Sequence, residues 1–340
     1  QLKYLLNYPI AQTALSTTVG TGSIPPIIIP KTQAILDRLK LRFGTTSKGI
    51  SPSAINEYLE CSLRFYLHRM AYLSAPEEVI IGMDAATIGT FFHESIEAGY
   101  KPFEGKGIIL QESDFEQVRE LAFAAFYQKL EQHFGVPANE VKGESILTIE
   151  LIKNYLNKVI SADSKLTDLQ IVAQEAQKPL LLPITLVDGS EFTIQINGKI
   201  DRIDRVGDTL RIIDYKTGKD VLEAPNVEAL FDRNAKKSVK AIMQVFVYAI
   251  MYLQDTDTQF EPGIYKLAEM ISPGYDPLNN YKIHIKDYEK GMPFDTAYLN
   301  KFKQLIGKKL ATLFDINLPF TQTENLDNCK YCEFKPMCGR

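Results

Sequence analysis

The stretch from Asn197 to Lys219, NGKIDRIDRVGDTLRIIDYKTGK, constrains this chain most, because it reads as two β-strands turned back on each other with acids on both. Ile194, Ile196 and Ile200 alternate as strand residues do, and Leu210 to Tyr215 supply a second apolar run. Between them lies Val206-Gly207-Asp208-Thr209, where glycine tolerates the positive φ needed at the first central position of a type II′ hairpin turn. With Val206 paired to Thr209, each step back along the first strand faces a step forward along the second. Asp201 then lies opposite Asp214, their Cβ atoms about 5 Å apart. Facing carboxylates destabilise a sheet unless they hold a cation, and a hard divalent ion suits oxygen ligands best. Lys216, two residues beyond Asp214, falls on the same face of the same strand. Two acids and a lysine converge on one spot.

Alone, this signal is weak. With Asp and Lys each near ~6% of ordinary proteins, an Asp-x-Lys triplet arises about once by chance in a chain of this length, and solvated strand faces are polar in any case. At 340 residues the chain can bury one large core or two of ordinary size. A net charge of −4 argues against a broad phosphate-binding face, although acids at a metal site lower the total while local Lys and Arg clusters still meet a polyanion. The longest apolar run, around Ala241 to Leu253, is interrupted by Gln244, so neither a membrane span nor a signal peptide is expected and the chain reads as cytoplasmic. It opens with Gln1 rather than Met, and is expected to be an excerpt from a longer polypeptide.

Residues 1–48 read as a lead-in connector. Proline keeps Ile24 to Pro30 out of a central sheet position, and a short basic helix is expected from Lys31 to Phe43. The main domain follows. Ser51 can cap a helix with Pro52 in its first turn, and Ile55, Leu59 and Leu63 form its apolar stripe. Cys61 lies within it, where a single cysteine is by base rate a small buried residue. Across Thr87 to Tyr100, TIGTFFHESIEAGY, Gly89, His93 and Glu97 share one helical face. Glycine inside a helix suggests close packing or approach to a ligand, whereas one histidine alone is more often structural. Helices near Ser113 to Phe134 and Glu144 to Ser161 carry no visible chemistry. Strand-like runs at Leu169 to Ala176 and Pro179 to Val187 lead into the hairpin, and Glu175 near the end of the first is either a solvated edge acid or part of the site.

Beyond the hairpin, a basic stretch with Arg233, Lys236, Lys237 and Lys240 leads into AIMQVFVYAIMYL, a helix apolar on nearly all sides. Gln244 and Tyr248 share one face of it, and a buried glutamine must find a lysine, carboxylate or phosphate partner. Strands near Glu261 to Leu267 and Tyr281 to Ile285, and a helix near Asp295 to Phe314, complete the domain. The chain ends NCKYCEFKPMCGR, with Cys329, Cys332 and Cys338 in Cys-x2-Cys-x5-Cys spacing. No secretory signal supports a disulfide framework. The fourth cysteine, Cys61, stands 268 residues before Cys329. Such a set can hold zinc or an iron-sulfur cluster; zinc sites typically pair two short knuckles, so the one-plus-three split favours the cluster.

Taken jointly, these residues resemble the nuclease domain of the RecB and AddB family, within the PD-(D/E)XK superfamily, over nearly everything from Ser51 to Arg340. The matching motifs are G-x3-H-x3-E at Gly89 to Glu97, G-x-x-D at Gly198 to Asp201, D-Y-K at Asp214 to Lys216 and Q-x3-Y at Gln244 to Tyr248. The cysteine spacing resembles that of AddB-type nucleases and of related CRISPR adaptation nucleases, although Ser62 follows Cys61 where many relatives carry proline. The resemblance implies a restriction-endonuclease-like α/β core over residues 49–340, a mixed four-stranded sheet flanked by helices. It implies that His93, Asp201, Asp214 and the Tyr215 carbonyl ligate Mg²⁺ or Mn²⁺, with Glu175 as an additional acid. Lys216 would orient the attacking water, Gln244 and Tyr248 would support Lys216 or hold DNA, and Arg233 to Lys240 would meet the DNA backbone. Cys61, Cys329, Cys332 and Cys338 would hold a 4Fe-4S cluster, with zinc as the alternative. The implied activity is that of a metal-dependent deoxyribonuclease, an exonuclease, acting on DNA ends in double-strand-break repair and recombination beside an AddA- or RecB-like helicase-nuclease subunit. No G-x-x-x-x-G-K-[ST] loop is visible, so no ATPase is expected in this chain, and an AddB-like protein would carry a helicase-like region upstream. Rival readings on the same fold are a stand-alone CRISPR-type nuclease and a non-cutting DNA- or helicase-binding module. Retention of Asp201, Asp214 and Lys216 together favours cutting.

Overall fold

The computed structural model describes residues 25–74, 82–218, 220–232, 239–254, 256–276, 278–288 and 292–340. Ile24, Lys219, Arg233, Lys236 and Lys237 therefore lie outside the described residues. The strands are β1 (Ile28–Ile29), β2 (Leu169–Gln177), β3 (Leu180–Thr185), β4 (Glu191–Ile196), β5 (Lys199–Val206), β6 (Thr209–Lys216), β7 (Glu223–Ala224), β8 (Phe260–Lys266), β9 (His284–Ile285) and β10 (Phe320–Thr321). The helices are α1 (Gln33–Phe43), α2 (Pro52–Glu60), α3 (Ser62–Arg69), α4 (Ala85–Tyr100), α5 (Glu112–Phe134), α6 (Ser145–Asp163), α7 (Lys240–Leu253), α8 (Leu267–Met270), α9 (Thr296–Ala311) and α10 (Lys335–Cys338).

Four strands in the order β2-β5-β6-β8 form the central sheet. β2, β5 and β6 are antiparallel neighbours, and β8 joins β6 in parallel. A parallel neighbour requires a crossover, and α7 lies on the connection, buried on nearly every side as its composition demands. The β5-β6 turn has Gly207 at a φ of +56°, and its ladder runs from Val206 opposite Thr209 to Arg202 opposite Ile213, the register expected from the turn. Both faces of the sheet are covered. Ile203, Leu210 and Ile212 enter a core shared with α1, α2, α7 and α9, while Ile213, Tyr215, Leu169 and Tyr265 enter a second core shared with α4, α5 and α6. Adjacent residues Ile212 and Ile213 thus go to opposite sides, as strand pleating requires. Double burial is why β6 reads as a nearly continuous apolar run, each buried isoleucine contributing roughly 1.5–3 kcal/mol.

Several expectations are corrected by the fold. Ile194, Ile196 and Ile200 do not share a strand: the first two belong to β4, which pairs with β3 in a separate two-stranded sheet, and Ile200 begins β5. Between them the chain leaves the strand at Asn197 and Gly198, and an added Cβ on Gly198 would lie 2.9 Å from Pro52 Cδ. The helix expected from Ser51 is two helices, because Cys61 is extended at φ −155° and ψ 105°, ending α2 and capping α3. Leu63 consequently leaves the Ile55–Leu59 stripe and packs with Leu67 and Phe334 instead. Nothing lies within 4 Å of where a Cβ on Gly89 would be, so this glycine faces open space and is not there for helix packing. The strand expected at Tyr281 to Ile285 shortens to β9, paired with β7. The lead-in helix α1 sends Leu36, Leu39 and Phe43 into the main core.

Candidate active site

The two registers place three carboxylates in a row across the sheet. Asp201 falls opposite Asp214 by extension of the β5-β6 ladder, and opposite Glu175 by the β2-β5 pairs on either side, Gln174 with Arg202 and Ala176 with Ile200. The ladder itself ends at this point: the Tyr215 N–H donates to Asp201 Oδ2 at 3.0 Å. Glu175 has a left-handed φ of +45° in the middle of a strand, a state that costs a residue with a Cβ on the order of 1 kcal/mol. From α4, His93 Nδ1 comes within 3.5 Å of Glu175 and 3.7 Å of Asp201. The imidazole stands edge-on to the Tyr215 ring, with centroids 5.6 Å apart, which orients it.

His93, Glu175 and Asp201 each offer an atom within 4.8 Å of the other two, a spacing that can hold a metal ion. Asp214 is fully buried and turns its carboxylate toward Lys216, whose Nζ lies 2.8 Å from Oδ2 and donates to Oδ1 at 3.1 Å. The protein thus gathers the imidazole with Glu175 and Asp201, while Asp214 stands beside them as the ammonium's partner. Burial and the neighbouring Asp214 carboxylate push Asp201 up to about 7. Burial would lower the His93 pKa, but the Glu175 and Asp201 carboxylates outweigh it and raise it. Crowded acids with raised affinity for protons are also acids with affinity for a cation.

Lys216 has a second anchor. Its Nζ donates to Gln244 Oε1 at 3.0 Å, and Gln244 Nε2 donates in turn to the Tyr248 hydroxyl. Both come from α7, where the Gln-x3-Tyr spacing puts the two side chains on one face. Tyr215 donates its N–H to Asp201 and sets its ring against His93. Of the basic stretch, only Lys240 is among the described residues, ion-paired to Glu60 at 2.7 Å.

Two features escape a reading of the hairpin for its acids. Half-buried Asp220 is close enough to Lys216 for each to affect the other's charge. On the opposite face of the sheet, Arg202, Asp204, Arg211 and Asp163 form a fully buried ionic network: Asp204 accepts from Arg202 Nε and from Arg211 Nε, each at 2.6 Å, and Asp163 accepts from Arg202 Nη1 at 2.6 Å. Arg202 also donates to the Tyr215 hydroxyl at 3.2 Å, so the network fixes the residue between Asp214 and Lys216. The signal was available, since the register that opposes Asp201 to Asp214 also opposes Asp204 to Arg211.

Cys61, Cys329, Cys332 and Cys338 line one pocket between the start of α3, the tail beyond β10 and α10, far in sequence from the acids. Burial and the adjoining cysteines push the Cys329 and Cys338 thiols up.

A mixed sheet clasped between helical layers, with acids on adjacent strands beside a lysine, defines the nuclease class of α/β proteins. The chain belongs to the PD-(D/E)XK nuclease superfamily, which it matches over residues 49–339. It is 30% identical over 203 residues to a subunit of the ATP-dependent helicase/deoxyribonuclease of Carboxydothermus hydrogenoformans, a match covering 53% of this chain and 17% of that protein. The corresponding protein of Clostridium tetani, which bears the same name, is 28% identical over 196 residues, covering 54% of this chain and 17% of the relative. That of Clostridium acetobutylicum is 26% identical over 260 residues, covering 73% and 21%. The matches span about a fifth of these relatives' length. Among the described residues no helix is long and apolar enough to cross a membrane.

Proposed function

We propose that this chain is the nuclease portion of a helicase-nuclease, a Mg²⁺- or Mn²⁺-dependent deoxyribonuclease that hydrolyses phosphodiester bonds from DNA ends, as an exonuclease does. The observation that carries this reading is the convergence of Glu175, Asp201 and Asp214 in one row with His93 and a doubly anchored Lys216. The names of the relatives, each a subunit of an ATP-dependent helicase/deoxyribonuclease, support DNA as substrate and a helicase-bearing assembly as partner; on this reading the chain works in the cytoplasm in double-strand-break processing and recombination, beside an AddA- or RecB-like subunit.

The residues fit a divalent cation, because three ligand atoms of the right chemistry already lie together around a carboxylate that burial and Asp214 destabilise when charged. His93, Glu175 and Asp201 would hold it, with Asp214 alongside. Bound there, the ion would lower the pKa of the attacking water and neutralise charge on the scissile phosphate. Lys216 is the residue placed to act on the phosphate itself. Asp214 keeps it protonated despite burial, and Gln244 holds its ammonium off its own strand, where it donates to a non-bridging oxygen and stabilises the charge that grows in the transition state.

The four thiols would hold a 4Fe-4S cluster, with zinc as the alternative occupant. Cys61, Cys329, Cys332 and Cys338 line one pocket, and four thiolates are the donor set that such a cluster takes.

Lys216→Ala tests the catalytic reading. It removes a cation and no core volume, so cleavage of linear DNA in Mg²⁺ or Mn²⁺ should fall at least ~100-fold, while the metal-free protein melts lower because buried Asp214 loses its partner yet stays folded at the assay temperature. Equal turnover by variant and parent would overturn the assignment.

A further inference from the structure

The helix that precedes the superfamily match borders a pocket for which the nuclease chemistry has no use. Arg38 and Arg42 stand one turn apart on α1, and Lys48 follows on the loop beyond it. With Leu41 and Tyr72 they line a pocket of about 350 Å³, large enough for a nucleotide-sized group. The pocket's charge is one-sided: no acid lines it, and none of the three cations is ion-paired among the described residues. Cations held around one concavity repel each other, and an anion relieves that repulsion.

Tyr72 supplies the second element. Its side chain is exposed, at 67%, and its φ of +56° is left-handed, unfavourable for any residue with a Cβ. Arg42 holds it there twice, donating to the Tyr72 hydroxyl and laying its guanidinium over the ring with the central carbon 5.0 Å from the centroid. Arg38 donates to the Met70 carbonyl at 2.6 Å, tying α1 to the same segment. An aromatic ring is thus kept on the surface, in a strained backbone state, beside three cations. Cations for phosphates next to a ring for a base is how single-stranded nucleic acid is gripped without regard to sequence. An acidic peptide would need the cations alone.

The pocket adjoins the acids through β5. Asn197 Nδ2 donates to the Lys48 carbonyl at 3.3 Å, and Asn197 stands four residues before Asp201. Even fully extended, that segment spans at most about 14 Å, so the Lys48 edge of the pocket lies within about four to five stacked nucleotides of Asp201, at about 3.4 Å each.

We propose that Arg38, Arg42, Lys48 and Tyr72 form an accessory subsite for single-stranded DNA, a few nucleotides from the bond to be cut. The inference rests on the nuclease reading above, but three of the four residues precede the matched residues 49–339. The test is fluorescence anisotropy of a labelled oligothymidylate of about 16 nucleotides, in EDTA and at several NaCl concentrations, with cleavage in Mg²⁺ followed in parallel. Lys48→Glu should weaken binding about fivefold or more and lower the salt slope by about one contact. Tyr72→Gly, which removes the ring and relaxes the left-handed residue, should weaken binding several-fold with a melting temperature at or above the parent's. Tyr72→Phe, which keeps the ring, should bind nearly as the parent does. Parent-like affinity and salt slope in both Lys48→Glu and Tyr72→Gly would overturn the subsite, as would no measurable binding by the parent. So would displacement by oligoglutamate with Tyr72→Gly silent, which would assign the pocket to an acidic protein segment. A parent that binds through these residues but does not cut faults the nuclease reading and supports the subsite; a parent that cuts while both variants bind as it does faults the subsite alone.

Discussion

Lys216 is held by two acceptors of different kinds, the Asp214 carboxylate on its own strand and the Gln244 amide oxygen on α7. Without Gln244 the ammonium keeps only the partner that draws it back toward β6. Gln244→Ala should therefore lower cleavage about tenfold, and the double variant with Lys216→Ala should be no slower than Lys216→Ala alone, because the glutamine acts through the lysine. Additive losses in a single-turnover assay would give Gln244 a separate role, such as gripping DNA. Two aspartates on β5, Asp201 and Asp204, have opposite fates. Asp204 neutralises two buried guanidinium groups, so Asp204→Asn should cost roughly 3–5 kcal/mol in urea unfolding, the penalty of stranding a buried charge. Asp201 instead faces another carboxylate under burial. Asp201→Asn should leave the metal-free protein as stable or more so in EDTA near neutral pH, and should abolish most of the rise in melting temperature that Mn²⁺ produces in the parent. A large loss of stability in the metal-free Asp201→Asn protein would contradict the crowding of charge at this position.

Among the elements, β2 carries the clearest conflict between local preference and tertiary demand. Its register shifts between Ile171 and Ala173, and Glu175 is left-handed within the strand. Such strain persists only where the surroundings impose it, and it clusters at functional sites. Glycine adopts this backbone freely, so Glu175→Gly should preserve or raise the melting temperature of the metal-free protein while weakening Mn²⁺ stabilisation and cleavage. A variant less stable than the parent yet equal in Mn²⁺ response would make Glu175 a structural residue only. The β5-β6 hairpin is the element most legible in sequence, because alternation and a two-residue turn are local and together set the register. The run from Ile194 to Ile200 misleads for the same reason: the alternation carries on across Asn197 and Gly198, where the chain leaves one sheet for another, and periodicity does not register which sheet a residue joins.

For the whole molecule, the cysteines tie the start of the nuclease core to its tail, as the pairing of β1 with β10 also does. They come from the start of α3 and from the last twelve residues, so a group bound by all four closes a loop of 268 residues, worth roughly 5 kcal/mol at most in chain entropy. Cys61→Ser should lose the iron, about four atoms per chain in anaerobically prepared parent for a cubane cluster. It should also melt several degrees lower, with the Mn²⁺ response at the acids intact. Stoichiometric zinc without iron in that parent would reject the cluster and leave the nuclease reading in place.

The order and spacing of the motifs, the facing of Asp201 and Asp214, the shared face of Gln244 and Tyr248 and the association of one early cysteine with three late ones were determined by sequence alone. Each follows from a local period, a turn, or the count of residues able to do the same chemistry. Which atoms meet was decided by tertiary structure. Glu175 rather than Asp214 approaches His93, Asp214 is given over to Lys216, Gly89 faces open space, and Arg38, Arg42 and Lys48 gather around Tyr72. These contacts join elements from 30 to more than 100 residues apart, such as Arg42 with Tyr72 and His93 with Asp201. Their geometry is set by how two helical layers seat on opposite faces of one twisted sheet, and no periodicity within a single element encodes that.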